Sequence, residues 1–447
     1  SITDPGDARE DAAGVAKEKT QEARALREAD TAPPVPPLSE LQPVTPWPEA
    51  ASTGQLELIA RAEATAAEML AAGWLAVITL AGGQGSRLGL DAPKGAFPIA
   101  PLSGKSFFEL FAEAIRGRER RSGGRIPWYV MTSPATHQAT VRAFAERDHF
   151  GLDPDQVTLF EQGELAVLAD DGRPLSAAPG QIALAPDGHG GLLAALQRSG
   201  ALDRMQRDGT RLVSCFQVDN PLARALDPLF LGLHRLTRAE ASCKVVVKRD
   251  PKEGLGNLCW HRDRLTCIEY SDLPADYALA RRADGSLFFA HGNISIYALD
   301  VGFLQRLADE RIELPLHRAR KRVPYFDPAT GERVDPVQPN AIKLERFLFD
   351  ALPCAQRPLV WRTRRDEEFS PVKTLAGADS VASARDALVR RACRWLEQAG
   401  VQIPRRDDGG PDAVVEISPL IADSAVELAS AAGLPRVVER GASLRIG

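Results

Sequence analysis

The chain has 447 residues, of which 44 % are hydrophobic and 26 % are charged, and this composition is typical of a globular protein of two or three domains. It has no uncharged apolar run long enough to cross a bilayer, and its 55 basic and 60 acidic side chains give a formal net charge of -5, the wrong sign for a general nucleic-acid-binding protein. We therefore expect neither a membrane nor a nucleic acid as its partner.

The six cysteines are scattered along the chain and form no C-x-x-C pair. This spacing differs from that of a small disulfide-bonded secreted domain. The N-terminus is polar and charged, without the apolar stretch of a secretory signal. We expect reduced, mostly buried thiols and a cytoplasmic protein.

The first 72 residues predict an arm followed by a helix. Residues 1–48 begin with a charged, Ala-rich stretch and continue with seven prolines, a composition that predicts a flexible arm and a stiff Pro-rich linker. Over residues 49–72 the apolar side chains recur at helical spacing, so we expect an N-terminal helical segment that ends before Gly73.

Strand and helix patterns alternate over residues 73–374, which we expect to be the main domain. Trp74–Leu80 is a continuous apolar run, typical of a strand buried on both faces of a parallel sheet. Further predicted strands are Trp128–Thr132, Leu212–Val218 and Lys244–Val247. Predicted helices are Phe107–Arg121, Thr136–Arg147 and Leu192–Arg207. The alternation predicts an α/β fold with a mostly parallel or mixed sheet.

The composition changes after about residue 375. An Ala- and Arg-rich helical pattern over Val381–Ala399 is followed by a polar stretch, Arg405–Asp412, and a short apolar tail. We expect residues 375–447 to form a small C-terminal lobe.

A glycine-rich loop follows the first predicted strand directly, and residues 80–95 read LAGGQGSRLGLDAPKG. Gly82, Gly83 and Gly85 allow a tight turn and leave backbone N–H groups accessible to an anionic ligand. The spacing matches neither a Walker A loop nor the Rossmann fingerprint, because Leu88 stands where the third Rossmann glycine belongs. The loop therefore predicts a phosphate site and disfavours an NAD-dependent oxidoreductase.

The pattern G-G-x-G-S-R-L-G followed by P-K-G resembles that of the eukaryotic-type UDP-sugar pyrophosphorylase family, and most of all its UDP-N-acetylglucosamine branch. Between Gly73 and Gly400 further blocks follow in the family's order: MTS (131–133), APDGHGG (185–191), VDN (218–220), EYSD (269–272), HGNI (291–294), PNAIKLERFLFD (339–350) and FSPVK (369–373). The resemblance implies a Rossmann-like nucleotidyltransferase core with flanking lobes. It also implies Mg²⁺-dependent conversion of UTP and a sugar 1-phosphate into UDP-sugar and pyrophosphate.

The resemblance also implies roles for individual residues of this chain. Contacts with UTP would come from Leu80, Ala81, Gly82, Gly83, Lys94, Gln162, Gly188, Asp219 and Lys343. The sugar would be bound by His189, Gly256, Glu269, Tyr270, Asn293 and Lys373. The catalytic side chains would be Arg87, Lys94 and Lys373, and Asp219 would hold Mg²⁺.

The chemistry of this reaction agrees with such a set of residues. A sugar phosphate oxygen is already an anion near neutral pH, so it needs no general base, and the obstacle is to bring two polyanions together. Positioning, fixed cations and a metal are the expected means. Asp219 closes a predicted buried strand, at the sheet edge where open α/β sheets bind ligands, although an Asp there could also cap a helix. Mg²⁺ commonly takes only one or two protein carboxylates.

Only ten of the 55 basic residues are lysines. Lys94, Lys343 and Lys373 lie in separate motifs, where a compact ammonium suits a phosphate group as a point charge. For four others a surface position is at least as plausible as a functional one: Lys244, Lys248, Lys252 and Lys321.

The sugar is left open between two branches of the family. His189 stands where the acetylglucosamine enzymes typically have Asn, whereas glucose and broad-specificity enzymes usually have G-H-G. N-acetylglucosamine 1-phosphate is our first expectation, and glucose 1-phosphate or a broad range of sugars is the alternative. A non-catalytic nucleotide-sugar sensor is the alternative of a different class. The sequence predicts no particular oligomeric state.

Overall fold

A computed structural model describes residues 34–47 and 53–447, so that most of the predicted arm lies outside the described residues. Its strands are β1 (Leu41–Pro43), β2 (Leu75–Leu80), β3 (Trp128–Thr132), β4 (Val157–Glu161), β5 (Glu164–Ala166), β6 (Leu168–Ala169), β7 (Ser176–Ala178), β8 (Gln181–Ile182), β9 (Leu184–Pro186), β10 (Leu212–Gln217), β11 (Ala241–Val247), β12 (Gly256–His261), β13 (Arg264–Ile268), β14 (His291–Asp300), β15 (His317–Lys321), β16 (Tyr325–Asp327), β17 (Glu332–Val334), β18 (Ala341–Glu345), β19 (Pro358–Arg362), β20 (Ala413–Ile417) and β21 (Ala442–Ile446). Its α-helices are α1 (Thr53–Ala71), α2 (Phe107–Ser122), α3 (Pro134–Glu146), α4 (Leu192–Arg198), α5 (Ala201–Arg207), α6 (Pro228–Leu236), α7 (Ala275–Ala278), α8 (Val301–Asp309), α9 (Arg365–Glu368), α10 (Val381–Gln398) and α11 (Ala425–Ala429).

A mixed sheet forms the centre of the molecule. Within the described residues ten strands join it, in the order β1-β12-β14-β10-β2-β3-β4, with β11 beside β14, β19 beside β11 and β13 beside β12. Strands β10, β2, β3 and β4 are parallel neighbours, and β14 runs antiparallel to β10, β11 and β12. The predicted α/β fold with a parallel-to-mixed sheet is confirmed.

The parallel strands form where the sequence is apolar on both strand faces. Every residue of β2 and of β3 is buried, as expected when helices cover both faces of a sheet. Helix α2 covers one face and begins at a capping box, in which Ser106 and Glu109 bond each other's backbone N–H. It ends at Gly123, whose φ of 75° suits a glycine C-cap.

Two predicted segments differ from the structure. The helical pattern Leu192–Arg207 is split into α4 and α5, because Gly200 takes a φ of 70° between them. The Pro-rich segment was expected to be a linker, but its described part packs on the core. There β1 pairs with β12, and the ring of Trp47 lies 4.8 Å from that of Trp361. Prolines have no backbone N–H to donate, but a pairing as short as that of β1 needs few such groups.

The C-terminal residues carry an apolar cluster of their own. Helix α10, strands β20 and β21 and helix α11 pack around Trp395, Leu396, Val415 and Leu428. Arg118 of α2 ties this cluster to the sheet domain, because its guanidinium lies 2.8 Å from both Asp423 and Glu427. No helix among the described residues is long and apolar enough to span a bilayer.

Candidate functional site

An open cleft lies at the carboxyl ends of the parallel strands β2, β3 and β10. Ligands bind at this edge in open α/β sheets, because neighbouring loops diverge there. The cleft is lined by Leu80, Gly82, Gly83, Lys94, Met131, Gln162, Ala185, Pro186, Gly188, His189, Gln217, Val218, Asp219, Lys343 and Glu345. Eight of the nine residues predicted to contact UTP thus lie together, and the ninth, Ala81, is buried between two of them.

The first glycine loop follows β2 and forms one wall of the cleft. Its backbone is closed by hydrogen bonds from Lys94 N to Gly83 O (3.1 Å) and from Gly85 N to Ala92 O (2.9 Å). A Cβ on Gly82 would stand 2.6 Å from Oε1 of Gln162. A side chain at position 82 would therefore push the Gln162 side chain away from the loop.

The second glycine-rich block, APDGHGG, forms the opposite wall. Gly188 has a φ of 85°, and a Cβ there would stand 2.4 Å from the carbonyl oxygen of Arg346. The block is joined to the segment after β18 by hydrogen bonds from Gly190 N to Arg346 O (2.8 Å) and from Arg346 N to Asp187 O (2.7 Å). These bonds fix the position of Gly188 relative to Lys343, which lies on β18.

Lys94 and Asp219 meet in the floor of the cleft. The Lys94 Nζ donates to the carbonyl oxygen of Val372 (2.9 Å) and lies 3.7 Å from Oδ2 of Asp219. The backbone N–H of Val372 in turn donates to the carbonyl oxygen of Asp219 (2.9 Å). The glycine loop, the VDN block and the FSPVK block, far apart in sequence, are thereby joined in one place.

A buried lysine that the sequence gave no reason to single out supports this floor. Lys244 is fully buried in β11, and its Nζ lies 2.8 Å from Oδ2 of Asp227 and 2.6 Å from Oε2 of Glu368. The Glu368 carbonyl accepts a hydrogen bond from Nδ2 of Asn220, the neighbour of Asp219. A surface position for Lys244 was wrong, and the signal that could have revealed it is its place inside a strand of buried residues.

Two of the residues predicted to bind the sugar, Gly256 and Asn293, lie on the antiparallel part of the sheet. Gly256 of β12 pairs in register with Asn293 of β14, and a Cβ on Gly256 would stand 2.6 Å from Sγ of Cys267. Nδ2 of Asn293 donates to the Tyr297 hydroxyl (2.9 Å). The same nitrogen lies 3.9 Å from Sγ of Cys267, two residues before Glu269, so Asn293 is held close to the loop that carries Glu269.

Titratable groups cluster on this side of the cleft. Burial and the nearby Asp272 raise the pKa of Glu269 to about 7. The two ring nitrogens of His317 lie within hydrogen-bond distance of the Asp272 and Asp350 carboxylates. Although burial acts to lower the pKa of His317, these two hydrogen bonds raise it to about 9. A carboxyl group and an imidazole, both with raised pKa values, thus lie within one cluster.

His189 is a neutral side chain in the wall between the residues predicted to bind UTP, the nucleotide half of the cleft, and those predicted to bind the sugar, the sugar half. Burial and the charge of His317 lower the pKa of His189 to about 4. Its Nδ1 lies 3.0 Å from the backbone N–H of Leu348 and accepts a hydrogen bond from it. Because a neutral imidazole with an accepting Nδ1 carries its proton on Nε2, His189 offers a donor to a bound ligand.

Three other predicted residues stand outside the cleft. The Arg87 side chain is exposed to solvent. Lys373 pairs with Asp379 at 3.1 Å, and Tyr270 is 53 % exposed. The catalytic roles of Arg87 and Lys373 and the sugar contact of Tyr270 therefore stay predictions, and each requires its side chain to move towards a bound ligand.

The donor set suits a magnesium ion that is bound mainly through a substrate. In the described part of the chain no group of three or more His, Cys, Asp or Glu side chains could hold a metal. Asp219 and Glu345 are the carboxylates in the cleft lining. One or two carboxylates, completed by phosphate oxygens and waters, are typical of Mg²⁺ sites in phosphate-handling enzymes.

Known proteins share both the sequence and the fold. The family model described as UTP–glucose-1-phosphate uridylyltransferase matches residues 39–404. The human UDP-N-acetylhexosamine pyrophosphorylase-like protein 1 is 39 % identical over 371 residues, which are 78 % of this chain and 73 % of that protein. The UDP-N-acetylglucosamine pyrophosphorylase of Saccharomyces cerevisiae is 36 % identical over 344 residues, which are 74 % of this chain and 72 % of the yeast protein.

A solved structure agrees with these sequence relatives. The uridine diphosphate N-acetylglucosamine pyrophosphorylase of Trypanosoma brucei, solved in complex with an inhibitor, superposes with a TM-score of 0.77 at 27 % identity. The match covers 96 % of this chain and 88 % of the trypanosomal chain. With the family model spanning most of the chain and the site motifs gathered in one cleft, this protein belongs to the UTP–glucose-1-phosphate uridylyltransferase family.

Proposed function

We propose that this protein is a uridylyltransferase that forms UDP-N-acetylglucosamine and pyrophosphate from UTP and N-acetylglucosamine 1-phosphate. The observation that carries the proposal is the convergence in one cleft of two glycine-rich loops, two lysines and the Asp219 carboxylate. Glycine loops hold a nucleotide through backbone groups, and the ammonium groups offset phosphate charge. Family membership adds the reaction class.

The cleft residues have defined tasks in such a reaction. Lys94 and Lys343 supply positive charge at fixed places, which favours the approach of two anionic substrates. Gln162 and Gly188 would contact the base of UTP, and the sugar would lie between His189 and Glu269. Asp219, with Glu345 nearby, would hold Mg²⁺, which when bound neutralises charge on phosphate oxygens.

The observations on the identity of the sugar favour two different candidates. The human and yeast relatives at 36–39 % identity are named for N-acetylated sugars. The family model is described by glucose 1-phosphate, and His189 matches the G-H-G that glucose and broad-specificity enzymes usually have. Glucose 1-phosphate is therefore the second candidate, and identity along most of the chain favours the N-acetylated sugar.

The test is the release of pyrophosphate by the purified chain. UTP and Mg²⁺ are supplied with N-acetylglucosamine 1-phosphate, glucose 1-phosphate or the galacto epimer of each, and initial rates are compared. We expect the fastest release with N-acetylglucosamine 1-phosphate. A faster rate with glucose 1-phosphate replaces the sugar but keeps the reaction. Tight binding of UDP-sugar without turnover of any of the four sugars contradicts the proposed activity and indicates a sensor.

A further inference from the structure

A histidine outside every recognised motif lies between the two halves of the cleft. His317 begins β15, where it pairs in register with Glu345 of β18. Directly opposed residues of antiparallel strands project from the same face of the sheet. Glu345 lines the nucleotide cleft, so strand register places His317 at its border.

Both ring nitrogens of His317 are occupied. Nδ1 lies 2.8 Å from Oδ2 of Asp272, and Nε2 lies 2.9 Å from Oδ2 of Asp350. Only one-tenth of the side chain is exposed. A neutral imidazole has a single N–H and would turn a lone pair towards one of the carboxylates. The geometry therefore fits the imidazolium form, which donates to both.

The two carboxylates belong to different parts of the site. Asp272 closes the EYSD block, which begins with Glu269, and its backbone N–H donates to the Glu269 carbonyl (3.0 Å). Asp350 closes the FLFD block. His317 is thus a bridge between the loop that carries Glu269 and the segment that follows β18.

Aromatic rings fix the bridge laterally. The His317 ring centroid lies 4.6 Å from that of Phe347 and 6.2 Å from that of Phe349. The same two phenylalanines contact His189, at 5.3 and 6.0 Å. The wall from His189 to His317 is therefore one packed unit, and the Glu269 loop is attached to it through Asp272.

Charge gives the bridge a second effect. Glu269, Asp272, Asp350 and Glu345 place four carboxyl groups around the region that would receive an anionic sugar phosphate. The imidazolium is the positive group among them. If it were removed, both the attachment of the loop and the charge balance of this region would be lost.

We propose that His317, as an imidazolium bridging Asp272 and Asp350, is a positioning residue for the sugar 1-phosphate. It holds the Glu269 loop against the Phe347–Phe349 wall and offsets the carboxylates around the sugar. The inference rests on the proposed function for its substrate, and the bridge itself can be tested without turnover.

The kinetic test is His317→Gln, which removes the charge and cannot reach both carboxylates. We expect the KM for the sugar 1-phosphate to rise about tenfold, the loss expected for a charge-assisted hydrogen bond, while the KM for UTP changes less than about twofold. His317→Arg keeps a positive, multi-donor group and should recover part of the loss. His261→Gln removes a histidine that pairs with Glu40 far from the cleft and should change neither KM.

The second test needs no turnover. In the folded His317→Gln chain, amide hydrogen exchange should become faster at residues 269–273. It should stay unchanged at residues 82–85, in the first glycine loop. If His317→Gln does not fold, Asp272→Asn breaks the same bridge from its more exposed end. Equal changes in both KM values, or unchanged exchange at residues 269–273, overturn the positioning role. Absence of turnover in the unaltered protein overturns the proposed function instead, and the exchange result still decides the bridge.

Discussion

The nucleotide half of the cleft is formed mainly by backbone groups, and the sugar half mainly by side chains. The nucleotide half consists of glycine loops at the ends of parallel strands, whose contacts are backbone hydrogen bonds and close approaches to Gly82 and Gly188. The sugar half consists of side chains on antiparallel strands and loops, among them Glu269, Asp272 and His317. Backbone groups do not titrate, whereas these side chains do.

The difference assigns separate tasks to the two halves. A phosphate cradle made of backbone groups and lysines is largely preformed by the sheet. A sugar pocket made of side chains and a bridged loop can change with single substitutions and with pH. We therefore expect nucleotide binding to depend on the integrity of the core, and sugar preference to depend on a few side chains. The following experiments test this contrast.

Lys244→Met should have the largest effect, because it removes the support behind the nucleotide half. It leaves the Asp227 and Glu368 carboxylates buried without the ammonium that lies between them. Removal of one partner of a buried ion pair costs about 3–5 kcal/mol. We expect a loss of that size in the free energy of unfolding, measured by urea denaturation.

The double variant Lys244→Met with Glu368→Gln should recover part of this stability, because one buried charge is then also removed. A matched control is Lys252→Met, which alters an exposed lysine in the turn after β11 and should leave the urea midpoint unchanged. A single Lys244→Met variant as stable as the parent protein would show that the buried carboxylates have found other partners.

Lys94→Met should have the next largest effect, on turnover rather than on folding. Its ammonium holds the Val372 carbonyl and faces Asp219, so we expect kcat/KM to fall by about 10²–10³, as for loss of one preorganised donor in an active site. Lys252→Met again serves as the control. A folded Lys94→Met variant with a rate close to that of the parent removes this lysine from the mechanism.

The nucleotide half was the more predictable one because its signals are local. Residues 80–95 carry their glycines and Lys94 within one stretch, directly after a strand whose apolar run is unambiguous. Backbone cradles need small residues at fixed spacing, and such spacing is readable in a sequence. The strand β3 and the start of helix α2 were predicted to the residue for the same reason.

The sugar half depends on pairings that no local pattern contains. His317 meets Asp272 and Asp350 only because β15 pairs with β18 and the EYSD loop folds over them. Lys244 likewise meets Glu368 across more than a hundred residues. Long-range contacts between charged side chains carry no spacing rule, so the sequence showed these residues as ordinary surface charges or did not distinguish them at all.

Glu269 should make the contribution of the sugar half to the stability of the protein depend on pH. Its pKa is raised from 4.5 to about 7 by burial and by the neighbouring Asp272, so the folded state favours the protonated carboxyl group. This contribution to stability is complete below about pH 4.5 and is lost as pH rises through about 7. Glu269→Gln lacks it, and the variant should therefore gain stability relative to the parent protein between pH 4.5 and 7.

Urea midpoints of the two proteins across this pH range provide the measurement. Glu63→Gln alters an exposed carboxylate on α1 and should follow the pH curve of the parent protein. Parallel curves for the parent and Glu269→Gln would mean that Glu269 titrates normally in the folded state, and the sugar half would then resemble the nucleotide half in its indifference to pH.

His189→Asn should have the smallest effect and the most specific one. The Asn amide can still accept from the Leu348 N–H, as Nδ1 of His189 does, but it is smaller and vacates space beside Phe347 and Phe349. We expect the ratio of kcat/KM for N-acetylglucosamine 1-phosphate to that for glucose 1-phosphate to rise by about threefold to tenfold, the scale of one small group in a pocket. The KM for UTP should stay the same, because Gly82, Gly83 and Gly188 are unchanged in the variant. If the KM for UTP changes as much as the sugar ratio, His189 contributes to both halves of the cleft. The nucleotide half, built from backbone groups, and the sugar half, built from side chains, then do not meet at this wall.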